Sequence, residues 1–399
     1  MGCYWTNHMM PITLRHFTES RFLISIIIGM NSLFGFIAQP YVAWKSDQVR
    51  TRFGRRKPFL LLGMSGTLIC VPLLGLMPTF FQGSARHAIT AILALMALNL
   101  FLQAFQDVNW GAESPLYADS FDQDKLGRAT AFRAAGTQGM FLVMSGLIMP
   151  LADRDEIYPY LASVFLILMS LLIVIFVVRE PPAPRCSEVI GTYRPLAHAS
   201  LLLRRPAVLK VAIVYSLTLT MPISFNLFLP LVATETLGLS KGAYGIAIAI
   251  GSGLGILLAW PGGWLVDRIG AKYVAAVGFL LSGLASVGML FIVEDHATLC
   301  VVVAMNQIFL SINGFAMLPL IFEHAAPEER GKVFGLVQFI RAFSAFSLTP
   351  LIGCAGDFFQ TYLVGYVICV PMAVVGMVLV LGGQDSGVIR ERRSMLPTS

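Results

Sequence analysis

The chain has 399 residues, of which 56% are hydrophobic and only 13% are charged, and its mean hydropathy is +0.75. Ordinary globular domains carry about 25% charged residues, so this composition excludes an ordinary soluble protein and favours a chain embedded in lipid. The net charge of +6 does not predict a nucleic-acid partner, because the basic residues concentrate in short segments between apolar runs. Six scattered cysteines show no metal-ligand spacing, and no phosphate loop or nucleophile elbow is present, so we expect neither an enzyme nor a metal or cofactor.

Apolar runs of bilayer length predict an all-α membrane protein with eleven spans. The runs cover about residues 22–44, 59–80, 88–118, 129–151, 159–178, 207–232, 242–266, 273–293, 297–323, 333–355 and 362–382. A proline- and arginine-rich stretch separates the first five runs from the last six. This division predicts an N-terminal bundle over 1–178, a linker over 179–206, a C-terminal bundle over 207–385 and a tail over 386–399.

The basic residues predict the orientation of the spans. Loops on the side of residues 45–58 hold twenty of the 28 lysines and arginines, the other side holds five, and three lie within spans. Because cytoplasmic loops carry the excess of basic residues, we expect the C-terminus in the cytoplasm and the chain in the plasma (inner) membrane.

A basic cluster with a single acid lies between the first two predicted spans, and a similar pattern returns after residue 262. The two copies comprise Asp47, Arg52, Gly54, Arg55 and Arg56, and then Gly263, Asp267, Arg268, Gly270 and Lys272. With Gln39-Pro40, Ser46 and Pro58-Phe59, the first copy resembles the loop between helices two and three of the major facilitator superfamily. More closely, it resembles the branch of glycoside–pentoside–hexuronide:cation symporters and sucrose transporters.

The resemblance implies two pseudo-symmetric six-helix bundles with a substrate site at their interface. Twelve spans are then needed, and residues 1–20 are too polar to form the first of them. Either the first helix has been lost from this sequence, or the protein naturally has eleven spans.

The resemblance also implies that the two loop copies form a gate. Asp47 would face the N-terminus of the span near Val333, and Asp267 that of the span near Ala129, where free backbone amides and the helix dipole favour an anion. Neighbouring arginines could pair with Asp119 and Glu323. The alternative is that the basic cluster only sets the topology.

Polar residues within spans are the candidates for transport, because such residues are costly in lipid. The span at 88–118 carries Gln103, Gln106, Asp107 and Trp110 on one face, with Glu113 nearer the cytoplasm. A buried carboxyl group can take up and release a proton, since burial disfavours its charged form. Arg133 is the expected counter-charge of Asp107, either in transport or as a fixed structural ion pair.

Amides and aromatic rings suit a neutral polyol such as a sugar, because amides donate and accept hydrogen bonds and a ring such as Trp110 stacks on the apolar face of the sugar. The candidates in the second half are Asn306, Asn313, Gln338 and Arg341, although polar residues in spans often serve only to join helices. In the branch that the loop motif resembles, sodium-coupled members use acids on the helix that corresponds to the span at 22–44. This span has no acid, so the resemblance argues for proton rather than sodium coupling. The span at 242–266 lacks the arginine that sucrose transporters use, which puts sucrose itself in doubt, and the positions of the histidines indicate no histidine relay.

The sequence therefore predicts a secondary transporter that moves a sugar or glycoside with protons by alternating access. Two alternatives stay open: an exporter of amphipathic compounds, and a membrane scaffold or sensor with the same fold.

Overall fold

The computed structural model describes residues 5–32, 35–81, 85–120, 126–178, 180, 206–322 and 330–382. Within those ranges the chain is almost entirely helical, and an isolated β-bridge joins Thr51 to Gly54 in a loop. The apolar runs become helices because a segment in lipid must satisfy its backbone hydrogen bonds internally. The predicted all-α fold class is confirmed.

Thirteen α-helices longer than one turn build the described part of the chain. The first half contains α1 (Met10–Arg15), α2 (Arg21–Gly29), α3 (Gly35–Gln48), α4 (Lys57–Phe80), α5 (Ala85–Ser120), α6 (Leu126–Val143) and α7 (Ile157–Phe176). The second half contains α8 (Pro206–Asn226), α9 (Lys241–Ile269), α10 (Ala271–Phe291), α11 (His296–Phe322), α12 (Arg330–Phe358) and α13 (Val364–Leu381). Short π-helical, 3-10 and α-helical segments adjoin them at Trp5–Met9, Met30–Ser32, Met144–Ile148, Met149–Asp153, Leu229–Leu231 and Val232–Thr236.

The first predicted span, 22–44, is not one continuous helix. It is divided between α2 and α3, and a 3-10 segment, Met30–Ser32, follows the end of α2. The described residues therefore contain ten helices that are long and apolar enough to cross a membrane, rather than eleven. A break of this kind within a spanning segment often marks a functional hinge.

Residues 5–15, which the sequence marks as too polar to span, are helical, and residues 8–14 are buried. Their apolar side chains join the main hydrophobic core: Met9, Met10, Ile12 and Leu14. Two of their polar side chains form buried hydrogen bonds, from His8 Nδ1 to the Tyr244 hydroxyl (2.6 Å) and from Thr13 Oγ1 to the Tyr160 hydroxyl (2.9 Å). The polarity of the segment is thus satisfied inside the protein.

Helices within each half pack mainly against one another. In the first half α4 packs between α5 and α7, and α3 packs against α5; in the second half α9 and α10 pack against α11, and α13 against α10 and α8. Large apolar side chains such as Ile69, Phe165, Leu257 and Trp260 are exposed on the outside, as expected for a surface covered by lipid. The predicted linker, 179–206, falls mostly outside the described residues.

Two large helix crossings join the halves, and smaller contacts of α3 with α12 and of α6 with α11 add to them. α2 crosses α12, and α6 crosses α9. At the first crossing Gly353 of α12 lies against the Ser25 side chain, and at the second Gly245 of α9 lies against the Ser145 carbonyl, so an added Cβ at either glycine would collide. Glycine is needed at both positions because the two helix backbones approach so closely.

The connections between successive helices lie alternately on two opposite faces of the molecule. We call the face that carries residues 49–57 and Gly270 the motif face. The opposite face carries residues 16–20, 153–156, 237–240, 292–295 and 359–363, and we call it the far face.

Candidate functional site

The middle of α5 carries a row of buried polar side chains. Asn99, Gln103 and Asp107 are four residues apart and therefore share one helical face. Asn99 Nδ2 donates to the Ile27 carbonyl of α2 (2.7 Å), and Gln103 Nε2 approaches Asn99 Oδ1 (3.4 Å). Asn99 was not among the residues predicted from the sequence, because one buried amide does not differ in sequence from amides that only join helices.

Asp107 lies at the end of this row and is only 5% exposed. Its Oδ1 accepts a hydrogen bond from Gln39 Nε2 of α3 (2.8 Å), whereas its buried Oδ2 has no hydrogen-bond partner among the described atoms. The first turn of α3 closes over the carboxylate, because a Cβ on Gly35 would lie 3.5 Å from Oδ1. The first described residue of α3 thus lies directly beside Asp107. Gln106, the next predicted residue on α5, is also buried.

The prediction that Arg133 is the counter-charge of Asp107 is wrong. The Arg133 guanidinium pairs with Glu113 instead (3.3 Å) and lies over the Trp110 ring, 5.0 Å from its centroid. The reason is axial position, since Glu113 lies six residues, or about 9 Å, closer than Asp107 to the motif face where α6 begins. The side chains of the pair are about 30% exposed, unlike Asp107.

The second half contains a polar cluster on α8, α11 and α12. Arg341 donates to Gln338 Oε1 (3.1 Å), and its guanidinium lies over the Tyr215 ring, 4.9 Å from the centroid. On α11, Asn313 Nδ2 approaches the Thr218 carbonyl of α8 (3.4 Å), and its Oδ1 has no described partner. Gln338 and Arg341 are three residues apart and therefore share one face of α12, and the structure adds the contact with Tyr215.

Asn306, also on α11, belongs to a different contact. It is fully buried, and the Ser282 hydroxyl of α10 approaches its Oδ1 (3.5 Å). This contact lies between two helices of the same half. Asn306 is therefore not brought together with Arg341 by any contact that the structure describes.

A buried amide, Gln138, joins the halves at mid-depth. Gln138 Nε2 of α6 donates to Ser311 Oγ of α11 (2.5 Å) and approaches the Gln307 carbonyl (3.4 Å). This residue, too, was missed by the sequence reasoning, because α6 and α11 are far apart in sequence and nothing in the local pattern indicates their contact.

In the first loop copy, several residues have a structural role within the first half. Gly54 has φ +107°, and its backbone lies against the Glu180 carboxylate. Glu180 accepts hydrogen bonds from the backbone N–H groups of Arg55 (2.6 Å), Arg56 (2.7 Å) and Lys57 (2.7 Å), where α4 begins. The Lys57 ammonium in turn donates to the Ile175 carbonyl at the end of α7 (2.7 Å). The loop therefore ties the start of α4 to the end of α7.

The other predicted gate residues are described only in part. Arg52 stacks on the neighbouring Phe53, Arg268 on Trp264 and Lys272 on Tyr273. Gly270 separates α9 from α10 at φ +97°, while a Cβ on Gly263 would meet open space. The side chains of Asp47, Asp267, Asp119 and Glu323 lie outside the described part of the structure, so their contacts stay a prediction.

Charged groups also join the halves at the far face. The Lys241 ammonium donates to Glu156 Oε1 (2.5 Å), and the His16 imidazole lies 3.0 Å from Glu156 Oε2. The hydrogen bond with Glu156 raises the pKa of His16, although partial burial opposes this change. Burial acts to raise the pKa of Glu156, but the bonds from His16 and Lys241 outweigh it and hold that pKa below its ordinary value.

Apolar helices in two bundles, joined at two crossings and carrying buried polar groups at mid-depth, define a multi-pass membrane protein of the transporter class. The family model described as Major Facilitator Superfamily matches residues 1–350 and 223–393. The chain belongs to the major facilitator superfamily and is a transporter rather than an enzyme.

A curated relative supports the same assignment. The chain is 28% identical over 183 residues to solute carrier family 45 member 3 of Mus musculus. The match covers 43% of this chain and 31% of that relative, so the chain matches less than a third of the relative's length. The similarity supports the sucrose-transporter-like branch that the loop motif resembles.

Proposed function

We propose that the chain takes up a small polar solute, a sugar or glycoside, together with protons by alternating access. The observation that carries this proposal is the buried Asp107 carboxylate, which has one hydrogen bond from Gln39 and one buried oxygen without a described partner. Such a carboxyl group can accept a proton on Oδ2 without breaking its existing hydrogen bond.

The side chains around the interface support a neutral, hydroxyl-rich substrate. Amides both donate and accept hydrogen bonds, and Asn313 keeps an oxygen that has no described partner. Trp110 offers an indole ring that is about one-third exposed, and such a ring can stack on the apolar face of a sugar. The Glu113–Arg133 pair is adjacent to this ring, so it can sense occupancy of the same space.

The orientation follows from charge. We place the motif face and the C-terminus in the cytoplasm and the far face outside, in the plasma membrane, because the motif face carries the excess of lysine and arginine. The break between α2 and α3 is then a hinge next to the proton site, and movement of α3 would change the environment of Asp107.

Proteoliposomes test the proposal. A panel of mono- and disaccharides is added outside while external pH is recorded, and a substrate should raise external pH as protons enter with it. Asp107→Asn should abolish this signal and accumulation against a gradient, yet keep counterflow exchange of labelled sugar, which needs no net proton movement. Asp295→Asn, at an exposed far-face carboxylate, is the control and should behave as wild type.

Two outcomes would contradict parts of the proposal. A silent panel, with protein shown to be folded, would remove the sugar assignment. Sugar flux without a pH change, or full coupling in Asp107→Asn, would remove the proton role of Asp107.

A further inference from the structure

The far face contains two contacts of the same design, one at each helix crossing. At the crossing of α2 and α12, Asp357 near the end of α12 binds the start of α2. Its carboxylate accepts hydrogen bonds from the Ser20 hydroxyl (2.7 Å) and from the backbone N–H groups of Arg21 (2.7 Å) and Phe22 (3.0 Å). A helix N-terminus has free N–H groups and a favourable dipole for an anion, so these bonds hold the two halves together.

At the crossing of α6 and α9, Asp153 has the equivalent position. It ends the 3-10 segment that follows α6, and its two carboxylate oxygens accept from the Gly242 N–H at the start of α9 (3.0 and 3.2 Å). A Cβ on Gly242 would lie against the same carboxylate, so glycine allows the approach. In both places an aspartate from the end of one half's helix caps a helix of the other half.

The two contacts have opposite directions between the halves. Asp357 belongs to the second half and caps the first, whereas Asp153 belongs to the first half and caps the second. A glycine that lets the helices touch lies about one turn inward at each contact: Gly353 on α12 precedes Asp357, and Gly245 on α9 follows Gly242, the residue that Asp153 caps. The pair therefore follows the approximate two-fold symmetry of the fold.

We propose that Asp153 and Asp357 form the outer gate of the transporter: both caps are made when the far face is closed, and both break when it opens. On the motif face, Asp47 of α3 was expected to close against α12, and Asp267 of α9 against α6. Each region of contact between the halves would then carry an aspartate cap at both faces. The Lys241–Glu156 ion pair lies next to the Asp153 cap and closes with it. The proposal rests on alternating access but not on the identity of the substrate or the coupled ion.

Cysteine labelling tests this gate without any substrate. The reporter is Ala249→Cys, in a background whose six native cysteines are replaced. Ala249 is buried on α9 against Gly146 of the π-helical segment that follows α6, eight residues or about 12 Å inward from the start of α9. A membrane-impermeant maleimide is applied from the side on which the exposed Glu294→Cys reacts, and the labelling rate of the reporter measures opening of the far face.

Asp153→Ala and Asp357→Ala should each raise the reporter's labelling rate about tenfold, because each removes hydrogen bonds to a charged group. Gly242→Ala should act in the same direction as Asp153→Ala without changing any charge. The matched controls are Asp155→Ala and Asp295→Ala. These aspartates also cap far-face helix starts, at Ile157 and Thr298, but within their own half, so the labelling rate should stay at the starting value.

A second reporter separates gate opening from general loosening. Ala285→Cys is buried in α10, within the second half, and should stay unreactive in every variant. The proposal is overturned if the two gate variants label no faster than their controls, or if Ala285→Cys becomes reactive together with Ala249→Cys. A failure of sugar transport in the preceding experiment would leave this result unaffected.

Discussion

Replacing Gly54 with alanine should destabilise the protein because two separate costs meet at this residue. The backbone φ of +107° is one that residues with a Cβ rarely adopt, and such strain costs about 1–3 kcal/mol. The new methyl group would also lie within the Glu180 carboxylate and side chain, which must move. Movement weakens the three hydrogen bonds from the start of α4, and hydrogen bonds to charged groups contribute about 1.5–3 kcal/mol each. Since Glu180 is partly exposed, we expect a total loss of about 3–5 kcal/mol.

A double-mutant cycle measures the contribution of the contact. Thermal unfolding of purified protein in detergent is recorded for Gly54→Ala, Glu180→Ala and the double variant. In the Glu180→Ala background the steric cost is gone and only the backbone strain stays, so Gly54→Ala should cost about 2 kcal/mol less than in wild type. Gly263→Ala is the matched control, because this glycine of the second loop copy is helical and its Cβ would meet open space. It should be neutral or slightly stabilising.

Strict additivity of the two substitutions would refute this reasoning, as would a cost below about 1 kcal/mol for Gly54→Ala. Either result would indicate that Gly54 acts mainly in the gate and not in the contact with Glu180. If the cycle shows the expected coupling, Gly54 stabilises a permanent contact between α4 and α7. The opening and closing of the gate then depends on other residues of the motif.

Substitutions at three further contacts test individual interactions. Exchanging both Glu113 and Arg133 for glutamine in a cycle should show a coupling of at most about 1 kcal/mol in thermal unfolding, because the pair is about 30% exposed; a coupling of several kcal/mol would mean that it is desolvated. His16→Gln should lose stability relative to wild type at pH 5–6 but not at pH 9. The pKa of His16 is raised in the folded state by Glu156, so its contribution is complete below about pH 6.5 and disappears as pH rises through the raised value. A difference that does not vary with pH would contradict the ion pair. Asn99→Leu should cost about 1–3 kcal/mol, since it leaves a buried carbonyl of α2 without its donor, and Asn99→Ser should recover part of this loss.

The architecture could be predicted from the sequence because lipid imposes a strong constraint on length and composition. The predicted span 59–80 corresponds to α4 at Lys57–Phe80, and 273–293 to α10 at Ala271–Phe291. The exception, 22–44, is as apolar as the others over its first part, but a 3-10 turn follows Gly29 and interrupts the α-helix. A hydropathy pattern records how apolar a segment is, and it does not record where the backbone changes its hydrogen-bond spacing.

The side-chain partners were harder to predict. That Asp107 is buried follows from its place in an apolar run, but the choice between Asp107 and Glu113 as the partner of Arg133 depends on axial offset between two helices. The partner of the loop motif, Glu180, lies 125 residues after Arg55, at the edge of the predicted linker. Asp153 and Asp357 look like ordinary loop or helix-end acids in sequence. Their role is visible only when the helix they cap is known.

The N-terminal segment restricts how the two halves can move. Residues 5–15 bond to Tyr160 of the first half through Thr13 and to Tyr244 of the second half through His8. When the halves separate at the far face, one of these hydrogen bonds has to break, or the segment has to stretch between them. A disulfide cross-link at each of these contacts would therefore have a different effect. The cross-link to the half with which the segment moves would permit both the closed and the open far face. The cross-link to the other half would hold the far face closed, which is useful for determining that single conformation.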